Sequence, residues 1–435
     1  MDPCKKTALV FGGGGAKGSF QLGVWKALEE LKVNVDIVTG SSVGALNAVM
    51  YAQGKREIAE DLWREIELNN ILAIEMQNTE NKTQVARELF KESILKQGIS
   101  TEPLLKLIRR SIENENAIRQ SSIKLGITVT NFKTLQTEYY TLEDIPNGQL
   151  ANYLLASASF FPAMEKVKIQ GKYYIDGGIK DNIPIDFAVK LGGNQFIVVD
   201  VQGPGLSKSV NPTLNKKIIM IQTPWDLGGL LVFNRERMHL NSQLGYLETK
   251  KVLTNDYMGR WYTFNQQDWQ DEQDRFYQFL AKRLSSSHAA YQHPIFIEES
   301  LQIHVIKKLK EEWGLRVKGE TLPLALLELI GKSNYIYPDR VFSFQSFKKE
   351  LKERIENNEI NKSKDQYLQE IFLADWKNKT KQKLLLPADI EMIKKVYQAL
   401  FCGKEKDWLN RIEWLIVLKP TIVILAFYLD YLFSG

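Results

Sequence analysis

Histidine and cysteine are scarce in this 435-residue chain, with four of the first and two of the second. Cys4 and Cys402 give no disulfide framework, which suits a reducing compartment. No cluster with metal-ligand spacing is present, so neither a metal nor a cofactor is expected. The four histidines, His239, His288, His293 and His304, all follow the last strand–helix segment of the N-terminal half. Charge of one sign is also sparse. Residues 301–435 hold 23 Lys and Arg against 18 Asp and Glu, which accounts for the whole net charge of +5. That excess is too dilute for a nucleic-acid partner and hints at an anionic surface such as a phospholipid bilayer. Long apolar runs are few. The stretch before the first glycines is too short for the apolar part of a signal peptide, so the protein is expected inside the cell. No internal repeat is present.

What is there reads as an ordinary folded protein, 44% hydrophobic and 25% charged. Strand-like pieces lie at Thr7–Phe11, Asp36–Val38, Ile123–Val129, Thr137–Thr141, Tyr173–Ile175, Phe196–Val201 and Ile218–Gln222. Helical spacing falls between them, over Gln21–Leu31, Ala45–Gln53 and Arg56–Glu67. This alternation implies an α/β fold with a mainly parallel, buried sheet, whose ligands bind at the carboxyl ends of the strands. From about residue 265 helical patterns take over, over Asp274–Leu284, Glu299–Trp313, Leu322–Ile330, Phe344–Asn357, Tyr367–Trp376 and Ile390–Phe401. Two domains follow: 1–265, and a mainly helical extension over 266–435.

The first strand runs straight into Gly12-Gly13-Gly14-Gly15-Ala16-Lys17-Gly18. So much bare backbone at a strand exit suits a loop whose amides bind an anion. A P-loop is excluded, because Lys17 precedes the last glycine instead of following it. The dinucleotide pattern G-x-G-x-x-G fits Gly13, Gly15 and Gly18, but Asp36, the acidic residue at roughly the right distance, opens the next strand instead of closing it. A dinucleotide-binding oxidoreductase is therefore the alternative reading.

Gly40-Ser41-Ser42-Val43-Gly44 follows the second strand and precedes a helix. It matches G-x-S-x-G, a sharp strand-to-helix turn that projects a serine hydroxyl. Ser42 is the candidate nucleophile. Gly13, Gly14 and Gly15, on the neighbouring strand exit, and the Val43 amide are candidate donors to an oxyanion. Lys17 is placed to add positive charge nearby.

A carboxylate is the better candidate base. Tyr173-Tyr174-Ile175-Asp176-Gly177-Gly178 ends a strand in Asp-Gly-Gly, and Asn182-Ile183-Pro184 follows. Asp176 is favoured, with Asp200, Asp181 and His239 behind it. A carboxylate needs partial desolvation to take a serine proton near neutral pH.

Together the glycine-rich loop, the turn Gly40–Gly44 and the acidic turn Asp176-Gly177-Gly178 resemble the patatin-like phospholipase family over roughly residues 7–205. The resemblance implies a three-layer α/β/α fold, a Ser42–Asp176 dyad and metal-independent hydrolysis of acyl esters in phospholipids or lysophospholipids. Lys17 stands where many members carry arginine. A non-catalytic membrane-binding or signalling module on the same fold is a further alternative, against which intact Ser42 and Asp176 argue. Homo-oligomerisation is left open.

The most apolar segment, residues 414–433, is interrupted by Lys419 and Pro420 and carries Asp430. A monotopic membrane contact, a packed helical hairpin covering the N-terminal domain and a transmembrane anchor are the three readings. The expected location is the cytoplasm, peripheral at the inner face of the membrane.

Overall fold

The computed structural model describes residues 5–67, 71, 98–208, 217–286, 288–314, 316–357 and 387–434. The helix expected over 367–376 lies outside them. The chain divides into two compact units, the first formed by Met1–Thr223 with Leu227–Leu253, the second by Pro224–Asp226 with Thr254–Gly435.

The first unit is built on an eight-stranded sheet of β1 (Thr7–Phe11), β2 (Ile37–Ser41), β3 (Lys124–Asn131), β4 (Thr137–Thr141), β5 (Val167–Ile169), β6 (Lys172–Asp176), β7 (Gln195–Val199) and β8 (Ile218–Ile221). Its order is β5-β6-β3-β2-β1-β7-β8, with β4 paired to β3. Strands β3, β2, β1, β7 and β8 are mutually parallel, while β4 and β6 run antiparallel to β3. The helices are α1 (Ser19–Glu30), α2 (Val43–Gln53), α3 (Arg56–Glu65), α4 (Glu102–Ser111), α5 (Glu115–Arg119), α6 (Leu150–Ala158), α7 (Gly178–Asp181), α8 (Ile185–Lys190) and α9 (Arg235–Leu253).

Strand β1 reads as a continuous apolar run because both its faces are covered. Ala8 and Val10 pack with Ile37, Phe196 and Val198 under Ile185 and Ala188 of α8. Phe11, on the opposite face, meets the ring of Tyr51 on α2. The unit therefore has the α/β architecture expected for it.

One detail of the sheet positions everything that follows. Along β3, residues 124–128 pair with β2, and β4 occupies the opposite edge. Beyond the end of β2, Val129–Asn131 pair with β6 on the edge that β2 has left. Ser41 stands opposite Thr128 and Asp176 opposite Val129. Two strands about 135 residues apart in sequence are thus set end to end along one edge.

The second unit contains α10 (Trp269–Leu284), α11 (Glu299–Glu312), α12 (Leu322–Ser333), α13 (Phe344–Asn357), α14 (Pro387–Phe401), α15 (Ile412–Leu418) and α16 (Pro420–Ser434). It also holds a small sheet in the order β11 (Val341–Phe342), β10 (Thr263–Asn265), β9 (Tyr257–Met258). Those strands draw residues 254–265 into this unit, ahead of the division at 265 read from the sequence. Two- and three-residue strands carry too little periodicity to be seen without their partners. Glu328 gathers the backbone N–H groups of Arg260, Trp261 and Tyr262 and the indole of Trp313, so its buried carboxylate is fully hydrogen-bonded.

Pro420 breaks the apolar tail into α15 and α16. Helix α16 is buried, and its Asp430 is satisfied by Arg283 at 3.0 Å and the Tyr291 hydroxyl at 2.9 Å. Among the described residues no helix is long and apolar enough to cross a membrane.

Candidate active site

The turn after β2 places Ser42 at φ 56°, ψ −130°, a conformation that L residues adopt only at a cost. Gly40 and Gly44 make it geometrically accessible. A Cβ on Gly40 would sit 2.3 Å from the Gly44 carbonyl carbon, and one on Gly44 would sit 2.3 Å from the Phe11 oxygen. Helix α2 starts at Val43, so its N-terminal amides and positive dipole end meet the serine.

Ser42 Oγ donates to Asp176 Oδ2 at 2.6 Å. The other carboxylate oxygen accepts the Gly178 N–H at 2.7 Å. Asp176 is buried, and desolvation raises its carboxyl from the ordinary 3.8 to about 6, with the bonds from Ser42 and Gly178 pulling the other way. Ser157, at the end of α6, secures the junction. Its Oγ accepts the Ser42 N–H at 3.0 Å and donates to the Thr128 carbonyl at 2.7 Å, and its own carbonyl accepts the Gly177 N–H.

The glycine loop crosses beside this pair. The Gly12 N–H donates to Val199 and the Gly13 N–H to the Asn182 carbonyl at 3.2 Å. Gly13 was expected to offer its amide to an oxyanion, but that amide is engaged. The amides of Gly14, Gly15 and Val43 have no partner among the described residues, and all three residues line the cavity above Ser42. Gly15 sits at φ 54°, and a Cβ there would fall 2.2 Å from the Leu230 oxygen.

That cavity has a volume of about 330 Å³. Ser42, Asp176, Asn182 and the glycine loop form its polar end; Leu46, Met50, Trp63, Leu104, Ile108 and Met164 are among its apolar lining. It therefore pairs one small polar centre with a greasy arm, the usual composition of a site for an apolar ligand.

The remaining expected residues have other work. Lys17 turns away and donates to the Gln202 carbonyl at 2.8 Å, so its charge serves the loop after β7. Gly18 backs onto the Val43 side chain, and Gly177 closely approaches the Thr128 carbonyl. Asp200 accepts the Gln202 N–H in a local turn. Asp181 accepts the Tyr139 hydroxyl at 2.6 Å, with Lys208 at 3.7 Å. His239 is exposed on α9 and does not line the cavity, and the other three histidines belong to the second unit. Asp36 accepts the Thr7 N–H, at the opposite end of β1 from the glycine loop, so the ribose ligand of a dinucleotide pattern is missing where it is needed. Ser157, Leu230 and the apolar cavity wall had no motif to announce them; only neighbourhood in the fold reveals them.

Comparisons with known proteins find relatives of this chain. The family model described as Patatin-like phospholipase matches residues 9–189, and this segment of the chain is similar to that family. Among its relatives, "Lysophospholipase nte1" of Aspergillus terreus is 25% identical over 209 residues, covering 45% of this chain and 12% of that protein. "Patatin-like phospholipase domain-containing protein 6" of Homo sapiens is 27% identical over 197 residues, covering 45% and 13%. "Probable lipid hydrolase 463L" of Invertebrate iridescent virus 6 is 28% identical over 196 residues, covering 44% and 66%. The chain thus spans about an eighth of the length of the first two. Among solved structures, VipD from Legionella pneumophila aligns with a TM-score of 0.35 at 14% identity, over 99% of this chain and 92% of that one. The type III effector ExoU aligns with a TM-score of 0.32 at 15% identity, over 91% and 80%.

Proposed function

We propose that this chain is a lipid acyl hydrolase that cleaves acyl esters of phospholipids or lysophospholipids through an acyl-serine intermediate. The observation that carries the reading is the 2.6 Å hydrogen bond from Ser42 Oγ to a buried carboxylate at the polar end of an apolar cavity. Ser42 Oγ attacks the ester carbonyl carbon while Asp176 Oδ2 takes the hydroxyl proton. A carboxyl raised to about 6 is a stronger base than an ordinary one and is still largely ionised at neutral pH. The amides of Gly14, Gly15 and Val43 stabilise the oxyanion, each such donor contributing on the order of 2.7–4 kcal/mol. The bond to the alcohol breaks and Asp176 passes its proton to the departing oxygen. Water then attacks the acyl-serine, giving its proton to Asp176. The second tetrahedral species releases the fatty acid, and Ser42 recovers a proton from Asp176.

The apolar arm of the cavity supports an acyl chain as the group carried by the carbonyl. The names of the relatives, a lysophospholipase and a lipid hydrolase, point the same way.

Active-site labelling with a fluorophosphonate probe, with vesicles present, tests the reading. Labelling of wild type, its loss in Ser42→Ala and its sharp reduction in Asp176→Asn are expected, together with fatty-acid release from phospholipid by wild type alone. An unlabelled, folded wild-type chain that releases no fatty acid overturns it.

A further inference from the structure

Three of the eight large hydrophobic side chains exposed among the described residues of the second unit lie on one short helix. Trp414, Val417 and Leu418 of α15 are 72%, 61% and 67% exposed, while Ile412 and Ile416 on its other side are buried. Spacings of three and four place the exposed three on one face of the helix. Helix α11 stands beside it, since the His304 ring meets the Val417 carbonyl at 3.2 Å. The residue before His304, Ile303, is 61% exposed.

Cations lie on the neighbouring helix and at both ends of α15. Lys307 and Lys310 are exposed on α11, and Arg411 precedes Trp414 by one turn; none of the three has an ion pair among the described residues. Lys419 closes the helix and is held by Asp389 at 2.5 Å. Of the nearby acids, Glu311 is tied to Lys308 at 2.8 Å, and burial raises the Glu312 carboxyl to about 8, which leaves it mostly neutral at pH 7. Glu413 is the acidic residue on α15 itself.

We infer that α15 and the adjoining surface of α11 dock this protein onto an anionic phospholipid bilayer, with Trp414, Val417 and Leu418 entering the interfacial layer. The inference rests on the proposed lipid substrate, which an enzyme must meet at a membrane. Three features favour a bilayer over a protein surface. A tryptophan beside aliphatic side chains on an exposed helix face suits the headgroup boundary. The lysine-bearing rim complements anionic lipid, whereas lysine is depleted at protein–protein contacts. Pro420 turns the chain back into the unit after about two turns, so the helix lies on the surface instead of crossing it.

The test uses the full chain carrying Ser42→Ala, so that vesicles are not consumed. Co-sedimentation is measured with phosphatidylcholine vesicles, with and without phosphatidylglycerol. Wild-type surface residues should give binding that strengthens with phosphatidylglycerol and weakens with salt. The triple change Trp414→Ser, Val417→Ser, Leu418→Ser should weaken binding on the order of 100-fold. The change Lys307→Glu, Lys310→Glu, Arg411→Glu should remove the preference for phosphatidylglycerol. Brominated lipid should quench a part of the fluorescence that Trp414→Phe lacks, a reading that stands even where the triple variants fold poorly. Absence of vesicle binding, unchanged binding in the apolar variant, or self-association that this variant abolishes with no vesicle binding would overturn the assignment. Failure of the catalytic reading looks different: the Ser42-containing chain would then not hydrolyse a soluble short-chain ester, with or without vesicles.

Discussion

Asn182 holds Gly13 by both edges of its backbone. Its side-chain amide donates to the Gly13 carbonyl at 3.2 Å, and its own carbonyl accepts the Gly13 N–H at 3.2 Å. The glycine loop and the turn that bears Asp176 are thereby one mechanical piece, and the Gly14 and Gly15 amides inherit their aim from it.

Replacing Asn182 with Ala removes one of those two bonds and leaves the backbone one. We expect kcat on a soluble ester to fall about 10- to 100-fold, because small misplacements of preorganised donors are costly, with KM little changed. Steady-state kinetics beside a thermal melt would separate this from a loss of folding. An unchanged kcat would remove Asn182 from the positioning of the loop.

In the proposed mechanism Asp176 must be ionised to accept the serine proton, so kcat/KM should rise with pH and level off above about 6. Stability runs the other way. The folded carboxyl sits above its ordinary 3.8, so its protonation favours the folded state, fully below 3.8 and lost as the pH rises through about 6. Asp176→Asn should therefore be inactive yet more stable above pH 6, by on the order of 3 kcal/mol, with the gain vanishing in acid. Paired thermal melts across that range would check it, and a melting difference that does not vary with pH would refute it.

Leu107 lines the apolar arm and is only half-buried. Leu107→Trp should fill part of the arm without disturbing the core. The expected result is a fall of about tenfold in kcat/KM for long-chain relative to short-chain esters, the scale of discrimination that a few methylenes supply in an apolar pocket. An unchanged chain-length profile would mean that the acyl group lies elsewhere.

Glu312 is the counterpart in the second unit. Thr421 donates to its Oε1 at 2.9 Å, while Oε2 is buried with no hydrogen-bond partner among the described residues. Burial raises its carboxyl from 4.5 to about 8. Proton uptake favours folding there, so stability should decline as the pH rises through about 8. Glu312→Gln keeps the acceptor for Thr421 and should melt higher than wild type above pH 8, with the difference closing below 4.5. Equal melting temperatures at alkaline pH would show that water reaches the carboxylate.

How far the chain could be read ahead of its structure differs from residue to residue. The turn that strains Ser42 was legible because Gly40, Ser42 and Gly44 obey a local steric rule, and the structure shows the crossing that demands those glycines. Seven of the eight strands of the main sheet were legible as strand-like pieces, and the three-residue β5, with no period of its own, was not. The tail was legible only in part. Hydropathy marked 414–433, but Pro420 divides it into a largely exposed helix and a buried one, in which Asp430 finds Arg283 and Tyr291.

The Gly13 donor shows the limit most clearly. Nothing local distinguishes its amide from those of Gly14 and Gly15; Asn182, 169 residues further on, engages it. Local stereochemistry and the motifs it requires were determined by the sequence alone: the strained serine, the bare glycine loop and the Asp-Gly-Gly turn. Tertiary structure decided that Asp176 reaches Ser42, since this follows from β6 taking the edge of β3 where β2 ends. It also decided that the carboxyl is desolvated enough to titrate near 6. Pairing register and burial are sums over residues distant in the chain, and no short stretch of sequence contains them.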